Sequence, residues 1–184
     1  RDEKIESIKP FPKQKVRPCV FEYIYFSRPD SILNGKTAYE YRKNLGIELA
    51  KEDNVDGDVV VPVPDSGNAA ALGYSQQSRK NFELGLIRNH YVGRTFIEPS
   101  QKIRSLGVKL KLNPNKTSIK DKKIILVDDS LVRGTTSYKI VKMLYDAGAK
   151  EVHVRIARPE IRYPDFYGVD KPKKKELLAA NKNN

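Results

Sequence analysis

The chain has very little cysteine. Cys19 is the only one among 184 residues, so no internal disulfide framework exists, and a reducing compartment suits it. No apolar run is long enough to span a bilayer as a helix, and no secretory signal pattern opens the sequence. The first residue is Arg1 rather than Met, so a processed product or excised piece is expected, with a cytoplasmic location. Two nucleotide-binding fingerprints are also missing: no G-x-x-x-x-G-K-[ST] and no G-x-G-x-x-G precedes a helix. No internal repeat, helix-turn-helix pattern or regular basic stripe is found, so nucleic acid is not an expected partner. Negative charge is scarce relative to positive, with 35 Lys and Arg against 23 Asp and Glu, net +12. A solvated lysine-rich surface explains such a balance, and so does an anionic substrate.

What is present reads as one α/β unit. Residues 1–18 are polar, with Pro10, Pro12 and Pro18, and read as an arm. CVFEYIYFS (19–27) is aromatic and β-branched, which predicts a strand. RPDSILNG (28–35) has turn chemistry. Residues 37–53 place Tyr41, Leu45 and Leu49 at helical spacing. DVVVPVP (58–64) predicts a strand, and DSGNAAALGYSQQS (65–78) a helix with Ser66 as a candidate N-cap. Residues 83–116 are basic and interrupted by Gly93, Pro99, Gly107 and Pro114. An irregular stretch of that length in a compact domain is expected to be functional or disordered. KKIILVDD (122–129) predicts a buried parallel strand, residues 136–149 a helix stopped by Gly148, and KEVHVRIARP (150–159) the next parallel strand. Residues 171–184 read as a basic tail. Alternating strands and helices argue for a parallel sheet.

The stretch KIILVDDSLVRGTTSYKIVKM (123–143) carries the chemistry. In a parallel α/β sheet, ligands bind beyond the carboxyl ends of the strands, where Asp128 and Asp129 fall. The following turn holds Ser130, Arg133, Gly134, Thr135, Thr136 and Ser137. A turn opening a helix offers unpaired N–H groups and a positive dipole end, and the hydroxyls add donors. Such a turn suits a phosphate monoester, while the acids suit sugar hydroxyls or a hard cation. The plainer reading is a helix-cap cluster after a surface turn. It accounts poorly for two acids directly after an apolar strand.

VDDSLVRGTTS resembles the phosphoribosyl pyrophosphate (PRPP) signature of type I phosphoribosyltransferases. CVFEYIYFSRPDS, VPVPDSG, YVGRTF within residues 83–113, and ARPEIRYPDFYGVD further resemble the glutamine PRPP amidotransferase family, over roughly residues 17–172. The resemblance implies a type I phosphoribosyltransferase fold, a parallel sheet flanked by helices with a flexible active-site loop. It implies transfer of ammonia, derived from glutamine, to PRPP, giving 5-phosphoribosylamine and pyrophosphate at the start of purine synthesis. It divides the chain into an arm (1–18) from a glutaminase domain, a transferase domain (19–170) and a basic tail (171–184), and makes it a fragment without the glutaminase half.

By resemblance, Asp128, Asp129, Ser130, Arg133, Gly134, Thr135, Thr136 and Ser137 bind PRPP. Ser66, Asp128 and Asp129 surround Mg²⁺. Arg88, Tyr91, Arg94 and Lys111 serve catalysis by neutralising pyrophosphate and, with Phe96, excluding water. Purine nucleotides are implied as feedback inhibitors and a homo-oligomer as the full-length state. Some members bind an iron–sulfur cluster through a cysteine equivalent to Cys19 and another in P-x-F-Y-G. Asp165 stands at that second position here, so no cluster is expected, and Cys19 is expected to be a small buried residue. His90 replaces a fixed cation in the common K-N-R-Y-V-G-R-T-F pattern. Two other readings remain: a PRPP-sensing regulator on the same fold, or a phosphoribosyltransferase that accepts a base.

Overall fold

A computed structural model describes residues 6–52, 55–91, 111–163, 174 and 177–180. Residues 6–20 are exposed. A hairpin pairs β1 (Ile32–Leu33) with β2 (Lys36–Thr37). Its two turn residues, Asn34 and Gly35, have φ of 48° and 83°, the conformation that a two-residue Asn-Gly hairpin selects. Thr37 and Glu40 then start α1 (Ala38–Glu52) with a reciprocal capping box. The Thr37 N–H donates to Glu40 Oε2 at 2.8 Å, and the Glu40 N–H donates to Thr37 Oγ1 at 3.2 Å.

The main sheet has four strands: β3 (Val59–Pro62), β4 (Asn81–Phe82), β7 (Lys123–Asp128) and β8 (Glu151–Ile156). Their order is β4-β3-β7-β8, and all the pairings are parallel. β3 and β7 lie in the middle, which is why VVVP and the IILV of β7 are buried from end to end. Alternation along β7 sends Ile124 and Leu126 to one core and Ile125 and Val127 to the other. The first core packs against Ile140 and Leu144 of α4 (Thr135–Asp146). The second packs against Ala70, Ala71 and Tyr74 of α2 (Asn68–Ser78). Helices α1 and α2 touch through backbone: a Cβ at Gly46 would lie 1.8 Å from Ala70 O, and one at Gly73 2.0 Å from Lys43 O. The expected α/β architecture is therefore present, including both parallel strands and the stop at Gly148, whose φ is 98°.

The 83–116 stretch holds more order than its sequence promised. β5 (Leu86–Arg88) pairs antiparallel with β6 (Leu112–Pro114), and a short α3 (Lys116–Ile119) follows. Residues 92–110 lie outside the described part.

Two expectations fail in the N-terminal part. Residues 19–27 are not a strand: Glu22–Phe26 form one wide helical turn, closed by the Ser27 N–H donating to Glu22 O at 3.2 Å. Arg42 from α1 supplies the physical reason. Its Nε donates to Tyr23 O at 3.0 Å and its Nη2 to Ser27 O at 2.7 Å, so the carbonyls of this run are taken by a side chain rather than by a sheet. Cys19 is exposed, not buried, because it precedes that turn on the surface.

Candidate active site

The carboxyl ends of β3 and β7 meet side by side. The Val63 N–H donates to Val127 O at 2.9 Å, and the Gly67 N–H turns back to Val63 O at 2.9 Å. Gly67 fits only because it has no side chain. A Cβ there would lie 2.5 Å from Val127 O and 2.9 Å from Val63 O. The PDSG turn (64–67) is thereby wedged against the residue that precedes Asp128. Ser66 is half-buried in this turn. The expected capping role is not realised: the N-cap of α2 is Gly67, with no side-chain capping bond. The helix begins one residue later than a Ser66 cap requires, because the turn must first clear the β7 carbonyl.

Arg88, at the end of β5, reaches this same turn and pairs with Asp65, 23 residues earlier in the chain. Leu112 lies opposite Arg88, and the Asn89 N–H donates to Lys111 O at 2.8 Å. Two of the expected pyrophosphate cations, Arg88 and Lys111, thus stand at the same end of one antiparallel strand pair, and Arg88 faces the PDSG turn. Tyr91 is fully exposed and covers nothing here. Arg94, Phe96 and Asp165 lie outside the described residues.

Beyond β7, the strand's alternation points Asp128 toward the α4 side and Asp129 toward the α1–α2 side. The Asp129 N–H donates to Asp128 Oδ1 at 2.8 Å. Burial, followed by the neighbouring Asp129 side chain and its charge, pushes the Asp128 carboxyl up to about 8. Asp129 is 6% exposed, and its Oδ2 is buried without a hydrogen-bond partner. Two buried guanidinium groups, Arg42 and Arg158, feel the Asp129 charge. Burial lowers both of their pKa values, and Asp129 opposes that fall. Neither arginine was singled out in the sequence, since nothing in local spacing ties α1 or the end of β8 to Asp129.

Residues 130–134 lead into α4. Gly134 is its N-cap, with φ 77° and no side-chain capping bond. A Cβ there would meet only Leu178 Cδ2, at an ordinary 3.5 Å. Glycine is therefore needed for the left-handed backbone and not for space. The first helical bond runs from the Tyr138 N–H to Gly134 O at 2.9 Å. The N–H groups of Thr135, Thr136 and Ser137 consequently have no acceptor within the helix. Thr135, Thr136 and Arg133 are exposed, and Ser130 and Ser137 half-buried. Leu178 closes over the back of this loop, its N–H donating to Val132 O at 3.0 Å.

Among the described residues no group of three or more His, Cys, Asp or Glu could hold a metal ion. Two adjacent carboxylates, one with an unsatisfied buried oxygen, still fit Mg²⁺, which commonly takes one or two carboxylates and completes its shell from water and substrate phosphate.

A parallel sheet with twin acids at a central strand end, a glycine-turned helix start beside them and helices on both faces is the phosphoribosyltransferase type of α/β fold. No protein-family model matches the chain. Individual proteins do. It is 60% identical over 175 residues to an amidophosphoribosyltransferase of Rhizobium etli, covering 95% of the chain and 35% of that relative. It is 59% identical over 165 residues to one of Pyrococcus horikoshii, covering 90% and 36%. The solved glutamine PRPP amidotransferase of B. subtilis, complexed with ADP and GMP, superposes with a TM-score of 0.79 at 52% identity, covering 89% of this chain and 36% of that one. Over 90–95% of its length the chain is similar to these amidophosphoribosyltransferases; it spans 35% and 36% of the length of these two curated relatives.

Proposed function

We propose that this chain carries the PRPP site at which ammonia displaces pyrophosphate, breaking the C1–O bond and forming the C1–N bond of 5-phosphoribosylamine. The observation that supports this most is the junction at Asp128 and Asp129: a buried strand delivers two carboxylates directly into an unsatisfied helix start, beside a second turn that already holds a cation.

In this reading the N–H groups of Thr135, Thr136 and Ser137 and the hydroxyls of Ser130 and the two threonines take the 5-phosphate, with Gly134 shaping the bend and Arg133 lending charge. Asp128 and Asp129 take the ribose hydroxyls. The PDSG turn faces the pyrophosphate, and Arg88, Arg94 and Lys111 neutralise it as it leaves. Tyr91 and Phe96 keep water from the sugar, which passes through a loose, oxocarbenium-like state that water would otherwise capture. Positioning and charge neutralisation supply the acceleration. Mg²⁺, when bound, would be held by Asp128, Asp129 and Ser66 and would offset pyrophosphate charge.

The ammonia comes from glutamine in a longer protein, for which residues 1–18 form the connecting arm, 19–170 the transferase domain and 171–184 the tail. Purine nucleotides are the regulators, a role supported by the ADP and GMP bound to the B. subtilis neighbour. The full-length protein forms a homo-oligomer in the cytoplasm. Among the described residues no helix is long and apolar enough to cross a membrane.

The test is pyrophosphate release by this chain with PRPP, Mg²⁺ and ammonium. Saturable, ammonia-dependent release is expected. Turnover with a nucleobase instead would favour a base-accepting transferase. Salt-dependent binding of duplex DNA without turnover would favour a PRPP-sensing regulator.

A further inference from the structure

Asp129 has charged neighbours from a part of the chain remote from the 130–137 loop. Its carboxylate is buried, and Oδ2 has no hydrogen-bond partner. Arg158, 8% exposed, has a matching defect: its Nη1 is buried and unpaired. Strand register sets the two chain segments side by side, and the Asp129 charge acts on Arg158 without an ion pair between them. Asp128 lies opposite Ile156, and the Ala157 N–H donates to Asp128 O at 2.9 Å, so Arg158 leaves β8 where Asp129 leaves β7. Arg158 is itself pinned. Its guanidinium carbon lies 4.4 Å from the centre of the Phe21 ring, and its Nε donates to Pro159 O at 3.3 Å. Arg42, also 8% exposed, presents a second positive charge to Asp129 from α1 while holding the carbonyls of Tyr23 and Ser27.

Both cations around Asp129 thus depend on one stretch, residues 21–27. Phe21 supports Arg158 from one side, and the wide turn Glu22–Phe26 is fastened to Arg42 from the other. A buried carboxylate with an open lone pair is costly unless an opposite charge compensates it. Two side chains fastened to one segment supply that charge, so the field at the carboxylate depends on that segment.

We propose that Arg158, supported on the Phe21 ring and assisted by Arg42, is a positioning residue for Asp129, and that segment 21–27 sets how that acid meets the ribose hydroxyls. This rests on the phosphoribosyl reading of the site. Arg158 and Phe21 touch no substrate in this scheme. They act by orientation, and displacement of the 21–27 turn would reach the sugar site through both arginines at once.

The experiment measures PRPP affinity in the presence of Mg²⁺ by titration calorimetry for the unaltered chain, Arg158→Met, Arg158→Lys, Phe21→Leu and the Phe21→Leu/Arg158→Met double variant. Arg158→Met should weaken PRPP about tenfold or more, the range for a lost charge-assisted interaction. Arg158→Lys should recover most of that loss. Phe21→Leu should weaken PRPP about threefold, and the double variant should bind no worse than Arg158→Met alone, since both changes cut one chain of contacts. Unchanged affinity in Arg158→Met, no recovery by Lys, or multiplying losses in the double variant would overturn the proposal. If Arg158→Met does not fold, the Lys and Phe21→Leu variants decide it. Failure of the unaltered chain to bind PRPP removes the functional reading and this inference with it; binding by the unaltered chain with no response to the variants removes the inference alone.

Discussion

The turns that follow the two central strands are built in opposite ways. The PDSG turn after β3 is pinned: Gly67 bonds back to Val63, its Cα is pressed against the Val127 carbonyl, and Asp65 is paired with Arg88. Among the described residues, the loop after β7 exposes Arg133, Thr135 and Thr136 and leaves the first N–H groups of α4 without an acceptor in the helix. One side of the site is finished by the protein itself, and the other is left open, as the proposed anion site requires. This difference explains why both turns need glycine for unrelated reasons: Gly67 because no Cβ fits, Gly134 because its φ is 77°.

The largest effect should come from removing the two acids that open the exposed loop. Asp128→Asn with Asp129→Asn should lower ammonia-dependent pyrophosphate release by about a hundredfold or more, with circular dichroism unchanged. Retained turnover would detach the acids from the chemistry. Next come the glycines. Gly67→Ala forces a backbone clash and should cost about 1–3 kcal/mol or more in denaturant unfolding. Gly134→Ala should cost about 1–2 kcal/mol while weakening PRPP binding more than Gly67→Ala does for each unit of stability lost. Equal stability losses and equal binding losses for the two would erase the contrast between a pinned and an open turn.

A pH effect of intermediate size follows from Asp128. Its carboxyl is raised to about 8 in the folded chain, chiefly by burial. The folded state therefore keeps a proton that the unfolded chain releases in the ordinary carboxylate range. That stability is complete below the ordinary range and is lost as pH rises through about 8. The melting temperature of the unaltered chain should fall relative to Asp128→Asn between about pH 5 and pH 9. Parallel curves would mean Asp128 is not desolvated. The smallest effect should be Asp65→Asn. The Asp65–Arg88 pair is about half exposed, so its loss should change stability by about 0–1 kcal/mol. It should nevertheless free Arg88, so the apparent affinity for inorganic pyrophosphate should rise. A fall would show that Asp65 supports the anion site rather than competing with it.

Much of this site was legible in the chain. A continuous apolar run ending in Asp128 and Asp129, then Gly134 and three hydroxyl residues, encodes a buried strand, a bend and a helix start through local propensity and short-range hydrogen bonding. The strands at 59–62 and 151–156 and both long helices near the site were legible for the same reason. Residues 19–27 were not, because aromatic and β-branched side chains favour a strand only where a sheet edge is available. Here Arg42, fifteen residues past Ser27, claims the carbonyls instead. Ser66 looked like a cap because its neighbours are cap-like, and only the Val127 carbonyl moves the helix start to Gly67.

The sequence by itself determined the order of elements, the paired acids and the glycine-turned, hydroxyl-lined helix start, since each depends on residues within a few positions of one another. The tertiary structure alone decided which cations serve which turn and which buried charges stand behind Asp129. Arg88 reaches Asp65, and Arg42 and Arg158 approach Asp129, across separations that no local pattern encodes. Burial and Coulomb attraction depend on distance in space, and the parallel crossovers set those distances only once the sheet has formed.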